Sequence, residues 1–261
     1  MNLLVALDRG PEGREVLTAA RVVAHVSGWP MRVVHVRGDE REPTLDLPVR
    51  LAVNTPVDEV VGPGDPADAI IATEQPDDVL AFGLRRVGEE GVGRVAAALL
   101  ARAPRPLLVV RPGTRKIGAL RRIVVPLEGS PSSSEAMRQT EDAFCGRGRE
   151  IVVLHVSTAD TPDEPGSLPA PRMVDQEQYE WASWHEEFTM RFATCPEGGR
   201  HRTLVRVGEP AATIVQEAER LRADLLVLTW SGEFREGRSN LVRVLLERAP
   251  CPLLLVPAAR D

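Results

Sequence analysis

The stretch LARAPRPLLVVRP at residues 100–112 returns as LERAPCPLLLVP at residues 246–257. Each copy reads as the end of a helix, a proline-marked turn and a short unbroken apolar run, the pattern of a strand covered on both faces. A recurrence of this kind asks whether the whole chain is written twice.

Working outward from it, the same segments recur in the same order. LLVALDRGPEG (3–13) answers to IVVPLEGSPSS (123–133), MRVVHV (31–36) to EIVVLHV (150–156), and GPGDPADAII (62–71) to RVGEPAATIV (206–215). The spacing is 120 residues at Asp8/Glu128 and His35/His155, then 144 at Gly64/Gly208 and 146 at Pro104/Pro250. The second copy is therefore longer between its second and third strands. Two homologous domains are expected, residues 1–112 and 122–261, with 113–121 as linker.

Within each copy, apolar runs alternate with segments of helical period. In PAATIVQEAERLRAD, Ile214, Val215, Ala218 and Leu221 share one helix face. Strands alternating with helices predict a parallel sheet. Each half is thus read as an open α/β sandwich. The extra segment at 172–195, with Trp181, Trp184, Phe188 and Phe192 near helical spacing, is read as a full helix whose aromatics pack on the sheet. Its counterpart around 41–56, with Pro43, Pro48 and Pro56, is read as a loop or a short turn of helix.

Composition narrows the function. The chain has 261 residues, 43% hydrophobic and 27% charged, enough to bury a core. Its net charge of -6 divides evenly at Gly113, 16 acidic against 13 basic residues and then 22 against 19. No basic half is offered to nucleic acid. No apolar run is long enough to span a membrane, and NLLVALD follows the first Met without a basic leader, so a cytoplasmic protein is expected. Cys145, Cys195 and Cys251 are odd in number and lack metal-type spacing, so reduced thiols are expected.

The motifs now in view resemble the universal stress protein family, and the resemblance covers nearly the whole chain as a tandem pair. It is carried by ALDRG and PLEGS closing the first strands, HV closing the second, GDPADAI and GEPAATI opening a helix, and RAPRPLLVV and RAPCPLLLV at the ends. The resemblance implies five-stranded sheets of order 3-2-1-4-5. It also implies antiparallel pairing of the fifth strands, here PLLVV with PLLLV, in an intramolecular pseudo-dimer about a pseudo-twofold axis. A homodimer of chains is a further possibility it leaves open.

The nucleotide-binding branch of the family looks like G-x2-G-x9-G-[ST] from the fourth strand into the fourth helix. Glycines let backbone N–H groups approach phosphate oxygens, and a helix N-terminus adds donors and partial positive charge. Aligned on RAPCP, the second copy presents Thr229, Gly232, Ser239 and Asn240, and the first presents Gly83, Arg86, Gly93 and Arg94. Each keeps part of the pattern, and the span from first to third position is 10 residues in both, shorter than the family's. A second reading makes Ser239 or Asn240 a helix N-cap, with Gly91 in the first copy and Gly237 in the second as turn residues.

The first half keeps more of a site: Asp8 where the family's acid lies near the adenosine, Gly64 and Asp65 opening a helix, and Arg85, Arg86 and Arg94 as charge for an anion. Gly208 is the second-half counterpart of Gly64. The ligand implied is ATP or another adenine nucleotide, with Mg2+ only alongside ATP.

A dinucleotide reading of GPGDPA fails in its copy, RVGEPA, and the motif follows the third strand. No P-loop, nucleophile elbow or zinc-protease motif is found. His35 and His155 sit at equivalent strand ends and read as a repeated structural feature. The expectation is a stress-response binding protein rather than an enzyme, with slow ATP hydrolysis at most. The alternative is a tandem domain without nucleotide that works by protein contact.

Overall fold

A computed structural model of the chain describes residues 1–10, 12–42, 45, 56–62, 64–85, 93–102, 105–127, 131–146, 148–157, 199–231 and 238–258, without the side chains of 131–135, 157 and 238–240. The readings placed on 172–195, on most of 41–56 and on Gly91 and Gly237 lie outside them.

The first half runs β1 (Asn2–Ala6), α1 (Glu12–Ser27), β2 (Met31–Arg37), β3 (Val57–Val61), α2 (Pro66–Thr73), β4 (Asp78–Gly83), α3 (Arg94–Arg102) and β5 (Leu107–Val110). The second repeats it as β6 (Arg122–Pro126), α4 (Pro131–Phe144), β7 (Glu150–Ser157), β8 (Arg200–Val207), α5 (Pro210–Arg220), β9 (Leu225–Trp230), α6 (Arg238–Arg248) and β10 (Leu253–Pro257). The ten strands form one sheet in the order β3-β2-β1-β4-β5-β10-β9-β6-β7-β8. Read from either outer edge, each half has the order 3-2-1-4-5.

Every pairing within a half is parallel, and the single antiparallel pair is β5 with β10. Its register sets Leu254 opposite Leu108, with Leu253 opposite Val109 and Leu255 opposite Leu107. Leu108 and Leu254 are also equivalent in the repeat, 146 residues apart. The pseudo-twofold axis therefore passes between them.

The burial follows from the sequence. In α1, Gly13, Val16, Leu17, Ala20 and Val23 are buried at helical spacing, and Glu12 and Glu15 in the first turn suit the helix dipole. The continuous runs of β1, β4 and β5 are buried on both faces. One face of the sheet carries α2, α3, α5 and α6, and the other carries α1, α4 and, from the segment between β5 and β6, Ile117 and Leu120. Each of these two cores draws residues from both halves without a break.

The halves are also joined by side chains that reach free helix carbonyls. Trp230 donates its indole N–H to Leu100 O at 2.8 Å, and Arg111 donates to Ala249 O at 3.1 Å. Carbonyls in the last turn of a helix have no partner within it, so these contacts fill a structural need. Between β5 and β6, Arg115 holds Asp224 at 3.0 Å while the other Asp224 oxygen accepts from Arg121 N and Arg122 N.

Two expectations change. Cys145 is disulfide-bonded, with its partner outside the described residues, against the reading of three reduced thiols. Helix α6 opens at Arg238, so Ser239 and Asn240 stand inside its first turn and neither is its N-cap.

Cys251 is free and 1% exposed, and burial pushes its thiol up to about 12. A thiol reagent at neutral pH is expected to label Cys251 only after unfolding, read by mass spectrometry. Rapid labelling of the folded chain would contradict its place beside β10.

Candidate functional site

In the order 3-2-1-4-5 the chain leaves β1 toward β2 on one side, and its later strand β4 returns to the other side. Such a switch point opens a crevice beyond the carboxyl ends of the two strands, where doubly wound sheets bind ligands. In the first half that crevice is a cavity of about 450 Å³. Its size is ordinary for a small-molecule or cofactor site.

The elements around it follow from local chemistry. Val34 and Val36 alternate on β2 and line the cavity with Phe82, Ile70 and Leu99, giving an apolar floor. The polar rim is Asp8, Glu12, Arg85 and Arg94. His35, between the two valines, points to the opposite face of the sheet and is 4% exposed. Its Nδ1 lies 2.8 Å from Leu7 O, and His155 repeats the contact with Leu127 O at 2.9 Å. A carbonyl only accepts, so Nδ1 carries the proton in both. The repeated structural role read from the sequence is what the geometry shows.

Asp8 organises the turn from β1 into α1. Its Oδ1 accepts from Gly10 N–H at 3.0 Å, and Gly13 N–H donates to Gly10 O at 3.1 Å. A Cβ on Gly13 would stand 2.8 Å from Asp8 O, a backbone atom that cannot step aside, so only glycine fits. The other oxygen of Asp8 accepts from Arg85 Nε at 2.9 Å and Nη2 at 2.5 Å. The hydrogen bonds to Asp8 raise the Arg85 pKa further above its ordinary value.

Helix α3 begins at the rim from a residue that has no capping side chain. Gly93 O accepts from Ala97 N–H at 2.9 Å, which makes Gly93 the N-cap, and glycine has no side chain to satisfy the first N–H groups. The first turn contains no acid and opens with exposed Arg94, a cation at the positive end of the dipole. Helices α2 and α5 differ: Asp65 accepts from Ala67 N–H at 2.9 Å, and Glu209 from Ala211 N–H and Ala212 N–H at 3.0 and 2.6 Å.

Of the residues singled out in the sequence, Asp8, Gly83, Gly93 and Arg94 meet around one cavity, with Arg85 between them. Gly64 and Asp65 precede α2, which reaches the cavity through Pro66 and Ile70, and the Asp65 carboxylate is committed to its cap. Gly83 is set by packing: a Cβ there would stand 2.8 Å from Val16 Cγ2 of α1. In the second half, Gly208 precedes the Glu209 cap, and Ser239 and Asn240 lie on α6. Arg86, Gly232 and Glu128 fall outside the described residues. Glu12, Gly13 and the apolar floor escaped the motif search because they carry no motif. The alternation of Val34 and Val36 was the available signal for the floor.

A doubly wound tandem sheet with a cavity at its switch point defines an open α/β class of protein. The family profile described as the universal stress protein family matches residues 119–257, more than half of the chain, and the chain belongs to that family. Family membership supports a stress-response protein. No curated protein sequence matches.

Among solved structures, a universal stress protein from Archaeoglobus fulgidus is 15% identical with a TM-score of 0.65, over 100% of this chain and 97% of that one. A functionally unknown protein from Pseudomonas aeruginosa is 14% identical with a TM-score of 0.62, over 98% and 92%. These likenesses show the fold. A universal stress protein family protein from Arabidopsis thaliana with AMP bound is 17% identical with a TM-score of 0.39, over 54% of this chain and 94% of that one. Among the described residues no helix is long and apolar enough to cross a membrane.

Proposed function

We propose that the first half binds an adenine nucleotide in the switch-point cavity and that the protein is a regulatory binding protein of the stress response. The observation that carries this reading is the N-terminus of α3, with Gly93 as its side-chain-less N-cap and Arg94 beside it on the cavity rim. The N–H groups of a helix N-terminus and a cation with no acid in its own first turn complement an anion. Asp8, Arg85, Gly93 and Arg94 would hold the polar parts of the ligand, and Val34, Val36 and Phe82 would lie against its base. The family's glycine pattern is incomplete here, so charge from arginine stands where backbone approach serves elsewhere. Mg2+ would accompany a triphosphate only.

The alternative, a tandem domain acting only through protein contact, asks for a contiguous exposed apolar patch. Among the described residues the exposed large apolar side chains are Met1, Val57, Val61, Val205 and Val207, and the valines divide between β3 and β8 at opposite edges of the sheet.

Calorimetry with ATP and AMP tests it. Wild-type protein is expected to bind near one ligand per chain, and Arg94→Glu to weaken binding by about tenfold or more. Wild-type protein that ignores millimolar nucleotide would end the proposal.

A further inference from the structure

The Asp8 carboxylate at the cavity mouth is already engaged. Oδ1 accepts from Gly10 N–H, and Oδ2 accepts two hydrogen bonds from the Arg85 guanidinium. A ligand reaching for Asp8 as an acceptor therefore meets Arg85 first. The two side chains are 38% and 65% exposed, and such an exposed pair is held weakly because water and salt screen it. Asp8 is the sole partner of Arg85 among the described residues. Arg85 follows β4 by two residues and carries a long, flexible stem.

We propose that Arg85 is a latch that sets ligand specificity: it rests on Asp8 and is drawn off by a phosphate group, so that phosphate-bearing nucleotides are accepted over the bare nucleoside. This rests on the nucleotide reading above. The exchange costs Arg85 little, because a phosphate offers its planar fork the same charge-assisted, bidentate geometry that a carboxylate does. Asp8 gains, because its Oδ2 is released to accept from a hydroxyl or amino group of the ligand. The rim charges suit this: Asp8 and Glu12 stand with Arg85 and Arg94, and a phosphate brings negative charge to the positive end of α3. A nucleoside without phosphate has nothing to offer the guanidinium and finds the carboxylate occupied.

Removal of the latch should therefore move the two ligand classes in opposite directions. Arg85 is exposed, so Arg85→Gln is expected to fold, checked by circular dichroism. Calorimetry of the full chain with ATP, AMP and adenosine gives the readout. In Arg85→Gln, ATP and AMP are expected to bind about tenfold more weakly, while adenosine binds about threefold more tightly. Arg85→Lys, which keeps the charge but not the fork, is expected to fall between. Shifts of the same sign for nucleotide and nucleoside, or no shift, would overturn the latch while leaving the site. Wild-type protein that binds neither nucleotide nor nucleoside would overturn the site and the latch together.

Discussion

Leu108→Ala and Leu254→Ala are each expected to lower stability by about 2–5 kcal/mol, and the double variant to lose clearly less than the sum. The two residues face each other across the β5–β10 pair at the pseudo-twofold axis, 0% and 4% exposed. Each truncation removes the contact surface of the other, so the second has less to lose. Both belong to a core that runs from α1 across the seam to α4. The loss should therefore appear in one cooperative urea transition, followed by far-UV dichroism and tryptophan fluorescence. Additive losses, or two separated transitions, would mean that the halves fold independently and that the seam is only a contact between them.

That seam was legible because a repeat constrains more than a motif does. Leu108 and Leu254 are equivalent by alignment, and antiparallel pairing of equivalent strands has to place some equivalent pair on the axis. Asp8, Gly93 and Arg94 were legible for a similar reason, since the ends of β1 and β4 meet in any sheet of order 3-2-1-4-5. The meaning of Gly83 was not. A motif assigns glycine to phosphate approach, while the helix that needs the space, through Val16, is distant in sequence. The Arg85–Asp8 pair was equally hidden, with its partners 77 residues apart and nothing in either neighbourhood naming the other. Asp65 shows the opposite confusion: an acid before proline at a helix start serves as the cap, while the sequence alone groups it with Gly64 in the candidate site.

Asp78→Ala is expected to cost about 3–5 kcal/mol, because it strands a charge that is largely out of water. Asp78 is 1% exposed at the amino end of β4, where its Oδ2 accepts from Arg32 at 2.6 Å and Gln75 N–H at 2.7 Å. Arg32 also reaches Thr73 O at 2.7 Å and Asp58 at 3.0 Å, but the Asp58 side chain is 43% exposed and screened. Without Asp78 the guanidinium keeps the Thr73 carbonyl and a carboxylate that is largely solvated, and the N–H of Gln75 loses its acceptor. Asp78→Asn retains that acceptor and should lose less. Truncating both partners, in Arg32→Leu with Asp78→Leu, should recover part of the loss, since no uncompensated charge remains. The cluster sits at the far end of β4 from the cavity, so the folded fraction of Asp78→Asn should bind nucleotide with wild-type affinity. Thermal melts beside calorimetry separate the two effects: lowered stability with unchanged affinity is the expected pair of results. A fall in affinity without a fall in stability would mean that the amino end of β4 adjusts the cavity through the strand itself.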